Sequence, residues 1–227
     1  MAAHADQATV STRADQVRLT EIFLSLQGES TRVGLPTVFV RLTGCPLRCG
    51  YCDTAYAFHG GRQTRLDEVL TRVAEYRTRH VTVTGGEPLA QPAVLPLMSR
   101  LCDAGYHVSL ETSGSLDVSA VDPRVSKVVD IKTPGSGEVQ KNLWSNLAHC
   151  GPGDELKFVL TGRSDYDWAK LKCDELDLYG RAFEILFSPA AGELAPRDLA
   201  DWIVADRLPV RLQIQLHKLL WNDEPGR

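Results

Sequence analysis

The chain has no apolar run approaching the roughly 20 residues needed to cross a bilayer, so no membrane association is expected. Residues 1–18 open Met1-Ala-Ala-His-Ala-Asp6 with mixed charge and no apolar segment, which excludes an export signal. A disordered tail is expected there, followed by one folded domain over residues 19–227. No repeat, low-complexity stretch or linker subdivides that domain. Charge is nearly balanced, with 25 Lys and Arg against 29 Asp and Glu for a net −4, and this excludes the basic face of a nucleic-acid binder. Cysteine is sparse. Without an export signal, the six present in 227 residues are expected as thiols in a cytoplasmic protein, not as a disulfide framework. What remains, 43% hydrophobic and 24% charged, suits one globular domain with a sizeable core.

Three of the six cysteines fall together in Cys45-Pro-Leu-Arg-Cys49-Gly-Tyr-Cys52-Asp53-Thr54. Structural zinc takes four closed ligands, and no fourth Cys or His sits at a partner spacing. Three thiolates on a four-iron cluster would leave one iron open to a small ligand; the alternatives are an incomplete zinc knuckle or a group of unrelated buried thiols. Cys102, Cys150 and Cys173 are scattered and read as ordinary buried thiols.

Periodicity gives an alternation of strands and helices. Strands are expected at Glu21–Leu26, at Thr37–Leu42 with Val38, Val40 and Leu42 on one face and Phe39 and Arg41 on the other, and at Val81–Thr84, Tyr106–Glu111, Ser126–Ile131, Leu156–Leu160, Phe183–Phe187 and Val210–Leu216. Helices are expected over Thr64–Arg79, with Leu66, Val69, Leu70, Val73 and Tyr76 on one stripe, and over Pro92–Ala104, Gln140–Ala148, Tyr166–Leu176 and Pro196–Ala205. Such alternation implies an α/β fold with a parallel sheet and helices outside. A complete eight-fold barrel takes about 250 residues, so a single-domain, open and trimmed TIM-like barrel is expected. Cys45–Cys52, Gly85-Gly86-Glu87-Pro88, Glu111–Ser115 and Lys132 all follow strand ends, the face where such folds bind ligands.

The Cys-x3-Cys-x2-Cys loop, paired with Gly85-Gly86-Glu87-Pro88, resembles the signature of the radical S-adenosylmethionine (SAM) enzymes. Around it, Glu21-Ile-Phe-Leu-Ser-Leu-Gln-Gly-Glu29, Val38-Phe-Val-Arg-Leu-Thr-Gly-Cys45, Cys52-Asp-Thr-Ala-Tyr-Ala-Phe58, Asp130-Ile-Lys-Thr-Pro-Gly-Ser-Gly137 and Gln213-Ile-Gln-Leu-His-Lys218 are similar to the 7-carboxy-7-deazaguanine synthase family, in order, over roughly residues 20–220. The resemblance implies a carbon–nitrogen lyase that converts 6-carboxy-5,6,7,8-tetrahydropterin to 7-carboxy-7-deazaguanine and ammonia, on the route to queuosine. It implies a [4Fe-4S] cluster on Cys45, Cys49 and Cys52, and Mg²⁺ at Thr54. SAM contacts would come from Tyr51, Cys52, Asp53, Gly86, Asp130, Ile131 and Lys132. Substrate contacts would come from Leu26, Gln27, Gly28, Arg41 and Thr84, with Glu111 and His217 as further catalytic candidates beside Arg41.

The residue chemistry agrees where it can be read. A guanidinium forks onto a carboxylate, which the substrate carries. Gln27 offers donor and acceptor to a pterin amide edge, and Mg²⁺ completes its octahedron with substrate oxygens and water. Read without the family, Arg41 is a salt-bridge partner, Lys132 a solvated charge and Thr54 a loop cap. In the family a reduced cluster cleaves SAM, the adenosyl radical takes hydrogen from C6 of the pterin, and the hydrogen later returns, so SAM is regenerated. An external one-electron donor such as flavodoxin or ferredoxin and a homodimer are implied as well.

Ser30 replaces the glycine common after Gln-Gly-Glu, and Ser188-Pro189 replaces a common Gln-Pro. The chain ends in the charged Asn222-Asp-Glu-Pro-Gly-Arg227, so no terminal substrate contact is carried over. Competing readings are a radical SAM activase of a glycyl-radical enzyme, which often adds cysteine sets not seen in this chain, and a non-catalytic iron–sulfur module, which leaves Gly85–Pro88 and Gln27–Glu29 unexplained.

Overall fold

Strands of a parallel sheet covered on both faces are usually apolar throughout, whereas here a polar residue follows each apolar one in Val81-Thr-Val-Thr84 and Val108-Ser-Leu-Glu111. The computed structural model, which describes residues 15–222, 224 and 226, explains the alternation. Its strands are β1 (Gln16–Leu26), β2 (Pro36–Leu42), β3 (Arg62–Arg65), β4 (His80–Gly85), β5 (His107–Thr112), β6 (Ser126–Ile131), β7 (Glu155–Leu160), β8 (Glu184–Pro189) and β9 (Arg211–Leu212). They form one nine-stranded sheet in the order β3-β1-β2-β4-β5-β6-β7-β8-β9. Neighbours from β2 to β9 pair in parallel, and β1 pairs antiparallel with β2 and β3.

The apolar set of each strand faces helices. Val38, Val40, Leu42, Val81, Val83, Val108 and Leu110 pack with α1 (Leu66–Glu75) and α2 (Val94–Asp103). Ile131, Leu156, Phe158, Leu160, Ile185 and Phe187 pack with α3 (Arg163–Glu175) and α4 (Pro196–Asp206). On α1 the buried positions Leu66, Val69 and Val73 follow the predicted stripe, each stabilising the fold by about 1.5–3 kcal/mol. The opposite face, with Phe39, Arg41, Thr84, Glu111, Val128, Asp130, Lys157 and Val159, lines a cavity. The polar half of the alternation is therefore the wall of a site, and the sheet is the open, trimmed barrel expected.

Five expectations need correction. Residues 1–14 of the expected tail lie outside the described residues, but Gln16–Arg18 already pair with β3, so the first strand starts ahead of Glu21. The helix expected from Thr64 begins at Leu66, because Arg62–Arg65 form an edge strand on β1. No α-helix spans 140–148; that segment is two short 3-10 turns. Asparagine side chains compete there with helical bonding: Asn142 pairs with both backbone groups of Lys132, and Asn146 accepts from Val118 N and donates to Gly114 O and Leu116 O. The strand expected over Val210–Leu216 shrinks to β9 and gives way to a short helix, α5 (Leu216–Trp221), which carries His217. Finally, β1 runs against its neighbours, so Leu26 lies opposite Pro36 at the start of β2. Gln27–Glu29 thus enters the barrel from the end remote from the cysteine loop.

Candidate active site

The cysteine loop leaves β2 at Leu42 and is clamped at once. Gly86 N–H donates to Leu42 O (3.1 Å) and Glu87 N–H to Gly44 O (2.8 Å). A Cβ on Gly86 would stand 2.1 Å from Gly44 O, one on Gly85 would stand 2.1 Å from Leu42 O, and Gly85 has φ 134°. These glycines let two strand ends meet at the rim of the cavity that Gly85 and Gly86 also line. Glu87 is fully buried and finishes the joint, accepting from Thr112 Oγ1 (2.9 Å) and from Ser113 N (2.7 Å). On its far side the loop is tied to the exit of β6, through Gly50 N–H to Ser136 O (3.0 Å) and Arg48 N–H to Glu138 Oε1 (2.6 Å).

Cys45, Cys49 and Cys52 line one wall of a cavity of about 230 Å³. Burial pushes the Cys45 and Cys49 thiols up, neighbouring thiols add to this, and Lys132 opposes it. A set of thiols that resist ionising together is one that bound cations would stabilise as thiolates. Among the described residues no three His, Cys, Asp or Glu side chains are arranged to hold a single metal ion.

Asp130 and Lys132, from the end of β6, face the loop. Lys132 Nζ donates to Asp130 Oδ2 (2.8 Å) and lies 5.8 Å from the Tyr51 ring centroid. Burial lowers the Lys132 ammonium, but the charges of Asp130 and Cys49 outweigh it and raise it overall. Asp130 Oδ1 is buried without a protein partner, an acceptor turned toward a site with room for a ligand. Ile131, between them, buries its side chain in the core, so only its backbone is on offer.

Across the cavity Glu111 takes Thr84 Oγ1–H on Oε2 (2.8 Å) and Gln27 Nε2–H on Oε1 (3.3 Å), and Gln27 also reaches Thr82 Oγ1 (3.1 Å). Burial and the Glu29 charge push the Glu111 carboxyl up. Glu29 is shifted the other way: burial raises it, but Lys157 and a hydrogen bond from Gln215 bring it below its usual value. Lys157 Nζ donates to Glu29 Oε2 (2.6 Å) and stands 3.9 Å from Asp130 Oδ2. Arg41 donates from Nε to Glu21 Oε1 (2.8 Å), and Tyr56 Oη–H meets the same oxygen (2.7 Å).

The C-terminal segment closes the remaining side. Gln213 N–H bonds Phe187 O on β8 and Leu216 N–H bonds Gly28 O, both at 2.9 Å, so the segment spans from one side of the sheet to the turn after β1. A Cβ at Gly28 would lie 2.1 Å from His217 Nδ1, so a side chain there would displace the imidazole. Burial lowers the His217 imidazole. Gln215 Nε2 joins Glu29 Oε1 (2.7 Å) to Asp53 Oδ2 (3.2 Å), while Thr54 Oγ1–H bonds Asp53 Oδ1 (2.8 Å).

Every site residue expected from the sequence lines this cavity except Ile131. Glu21, Glu29, Glu87, Lys157 and Gln215 also build the site, and the sequence reading gave none of them a role. Lys157 had a readable signal, a lysine inside the apolar run Leu156-Lys-Phe-Val159. Gln215 lies within the Gln213–Lys218 motif, but its role depends on a helix turn that periodicity does not reveal.

Residues 39–128 match the Radical SAM superfamily. The chain is 46% identical to the 7-carboxy-7-deazaguanine synthase of Chlorobaculum tepidum, over 95% of this chain and 98% of that one, and 42% identical to that of Koribacter versatilis, over 92% and 98%. Among solved structures it superposes on QueE from Escherichia coli with a TM-score of 0.72 and 27% identity, covering 89% of this chain and 95% of that one. Streptococcus suis SuiB bound to S-adenosylmethionine, at 13% identity and a TM-score of 0.51 over 76% of this chain and 45% of that one, shares the fold alone.

Proposed function

We infer that this chain, which belongs to the 7-carboxy-7-deazaguanine synthase family, is a radical SAM lyase that converts 6-carboxy-5,6,7,8-tetrahydropterin to 7-carboxy-7-deazaguanine and ammonia. The observation that carries the reading is the meeting of the cysteine loop, the β6 exit and the Gln27–Thr84–Glu111 network around one cavity. The donor set fits the groups the family requires: three thiols on one loop facing the cavity, two of them pushed up by burial, and a buried carboxylate oxygen on Asp130 with no protein partner. Cys45, Cys49 and Cys52 would hold the [4Fe-4S] cluster, and Tyr51, Asp53, Gly86, Asp130, Lys132 and the Ile131 backbone would hold SAM. Together these groups supply hydrogen abstraction when bound and reduced.

The residues themselves bind, orient and exclude water. Arg41 Nε is committed to Glu21, so its two Nη atoms grip the substrate carboxylate. Gln27 and Glu111 read the pterin amide edge, with Glu111 oriented by Thr84. Burial and the nearby Glu29 charge push the Glu111 carboxyl above its usual value. Leu26 and Gly28 form the floor, and His217 closes over it. Mg²⁺ would sit on Thr54 Oγ1, whose proton is already engaged by Asp53, with substrate oxygens and water completing its shell. A flavodoxin- or ferredoxin-type donor, a homodimeric state and a cytoplasmic location complete the proposal.

The test is anaerobic reconstitution with iron and sulfide, then incubation with SAM, reductant, Mg²⁺ and the carboxytetrahydropterin. Ammonia and 7-carboxy-7-deazaguanine should appear together, and Cys49→Ala should abolish both the cluster absorbance and product. Product from Cys49→Ala at the wild-type rate would overturn the cluster assignment.

A further inference from the structure

The roles above leave Lys157, a cation lining the cavity, unassigned. Lys157 stands in register beside Asp130, on the adjacent parallel strand. Its ammonium is 2.6 Å from Glu29 Oε2 and 3.9 Å from Asp130 Oδ2, with its side chain 13% exposed. These two carboxylates come from different elements of the cavity wall, and Gln215 additionally ties Glu29 to Asp53 after the cysteine loop. Asp130 joins Lys132 beside the cysteine loop, whereas Glu29 follows Gln27 and Gly28, entering from the opposite end of the barrel. Charges so placed alternate: Lys132, Asp130, Lys157, Glu29. Removing Lys157 would leave Glu29 with no cationic partner among the described residues, held only by Gln215, and Asp130 with Lys132 alone, so that each carboxylate is freer to turn toward whatever donor its own ligand presents.

We propose that Lys157 is a positioning residue that couples the two binding half-sites, fixing the Asp130 carboxylate for SAM and the Glu29 turn for the pterin, so that occupancy of one half tightens binding in the other. The inference rests on the functional reading above. The physical element is shared: a pterin that settles the Gln27–Glu29 turn fixes Glu29 on Lys157, which restricts Lys157 and with it the orientation of Asp130. Coupling of this kind is reciprocal, so SAM tightens the pterin by the same factor that the pterin tightens SAM.

The measurement is the SAM dissociation constant of the reconstituted enzyme by anaerobic calorimetry, with and without saturating carboxytetrahydropterin. Wild type should show tightening of about five-fold or more, the lower range of allosteric coupling. Lys157→Gln should reduce the factor to below about two-fold, Lys157→Arg should restore part of it, and Glu29→Gln should reproduce the loss. Should Lys157→Gln fail to fold by circular dichroism, Glu29→Gln and Lys157→Arg carry the test. An unchanged coupling factor in folded Lys157→Gln or Glu29→Gln, or no tightening in wild type that turns over the pterin, overturns the inference and leaves the functional reading standing. Wild type that binds SAM but neither binds nor converts the pterin overturns both.

Discussion

Arg41 illustrates what a single residue's neighbours add. The sequence places it on the face of β2 away from the core, with a carboxylate-bearing substrate as the implied partner. It does not reveal that Glu21 on β1 holds Nε while Tyr56 caps the same carboxylate. That anchor fixes which edge of the guanidinium faces the cavity. Lysine keeps the charge but has no planar fork. Arg41→Lys should therefore raise KM for the pterin by about 10- to 100-fold, the worth of a charge-assisted hydrogen bond, with a smaller change in kcat. Glu21→Gln should move the same parameter in the same direction by less. Steady-state kinetics at saturating SAM decide this; a fall in kcat at unchanged KM would assign Arg41 to the chemical step.

At the scale of elements, the strands were legible because each alternates between a helix-packed face and a cavity face, and the inward polar set of β4, β5 and β6 marks the site directly. The stretches that failed were those in which side chains bond to backbone. Asn142 and Asn146 look like ordinary helix-face residues in sequence, yet they tie the 139–149 segment to neighbouring loops. The Gly85-Gly86 pair was singled out as part of the ligand-binding rim, and the structure adds a second reason for glycine there, the close contact with the exit of β2. Gly85→Ala should destabilise the protein by about 1–3 kcal/mol through backbone strain at positive φ. It should also lower reconstituted iron content, since the same joint holds the start of the cysteine loop. Urea unfolding and iron analysis measure the two effects; wild-type stability would show that the clamp is dispensable.

Across the whole molecule, the pairing that matters most is the least visible in sequence. Glu29 and Lys157 meet only because β1 runs against the sheet and its following turn reaches across the barrel to β7. This arrangement gives the fold a pH signature with two opposite parts. Glu29 is held below its usual value near 4.5, so its ionised form stabilises the fold above that pH, and the contribution is lost as pH falls through its folded pKa. Glu111 is raised above the same value, so its contribution is present below about pH 4.5 and is lost as pH rises through the folded pKa. In thermal melts across that range, Glu29→Gln should flatten the acid loss of stability. Glu111→Gln should gain on wild type as pH rises; parallel curves for all three proteins would contradict both assignments.

The central claim is that one cavity unites a SAM-bearing iron–sulfur loop with a pterin site. Its most direct test compares ammonia and 7-carboxy-7-deazaguanine formed with SAM consumed, in one anaerobic reaction of the reconstituted enzyme. The account predicts both products in equal amounts and, as the family resemblance implies, many equivalents for each SAM lost. SAM cleavage at the same rate with and without the carboxytetrahydropterin, and no ammonia released, would contradict it.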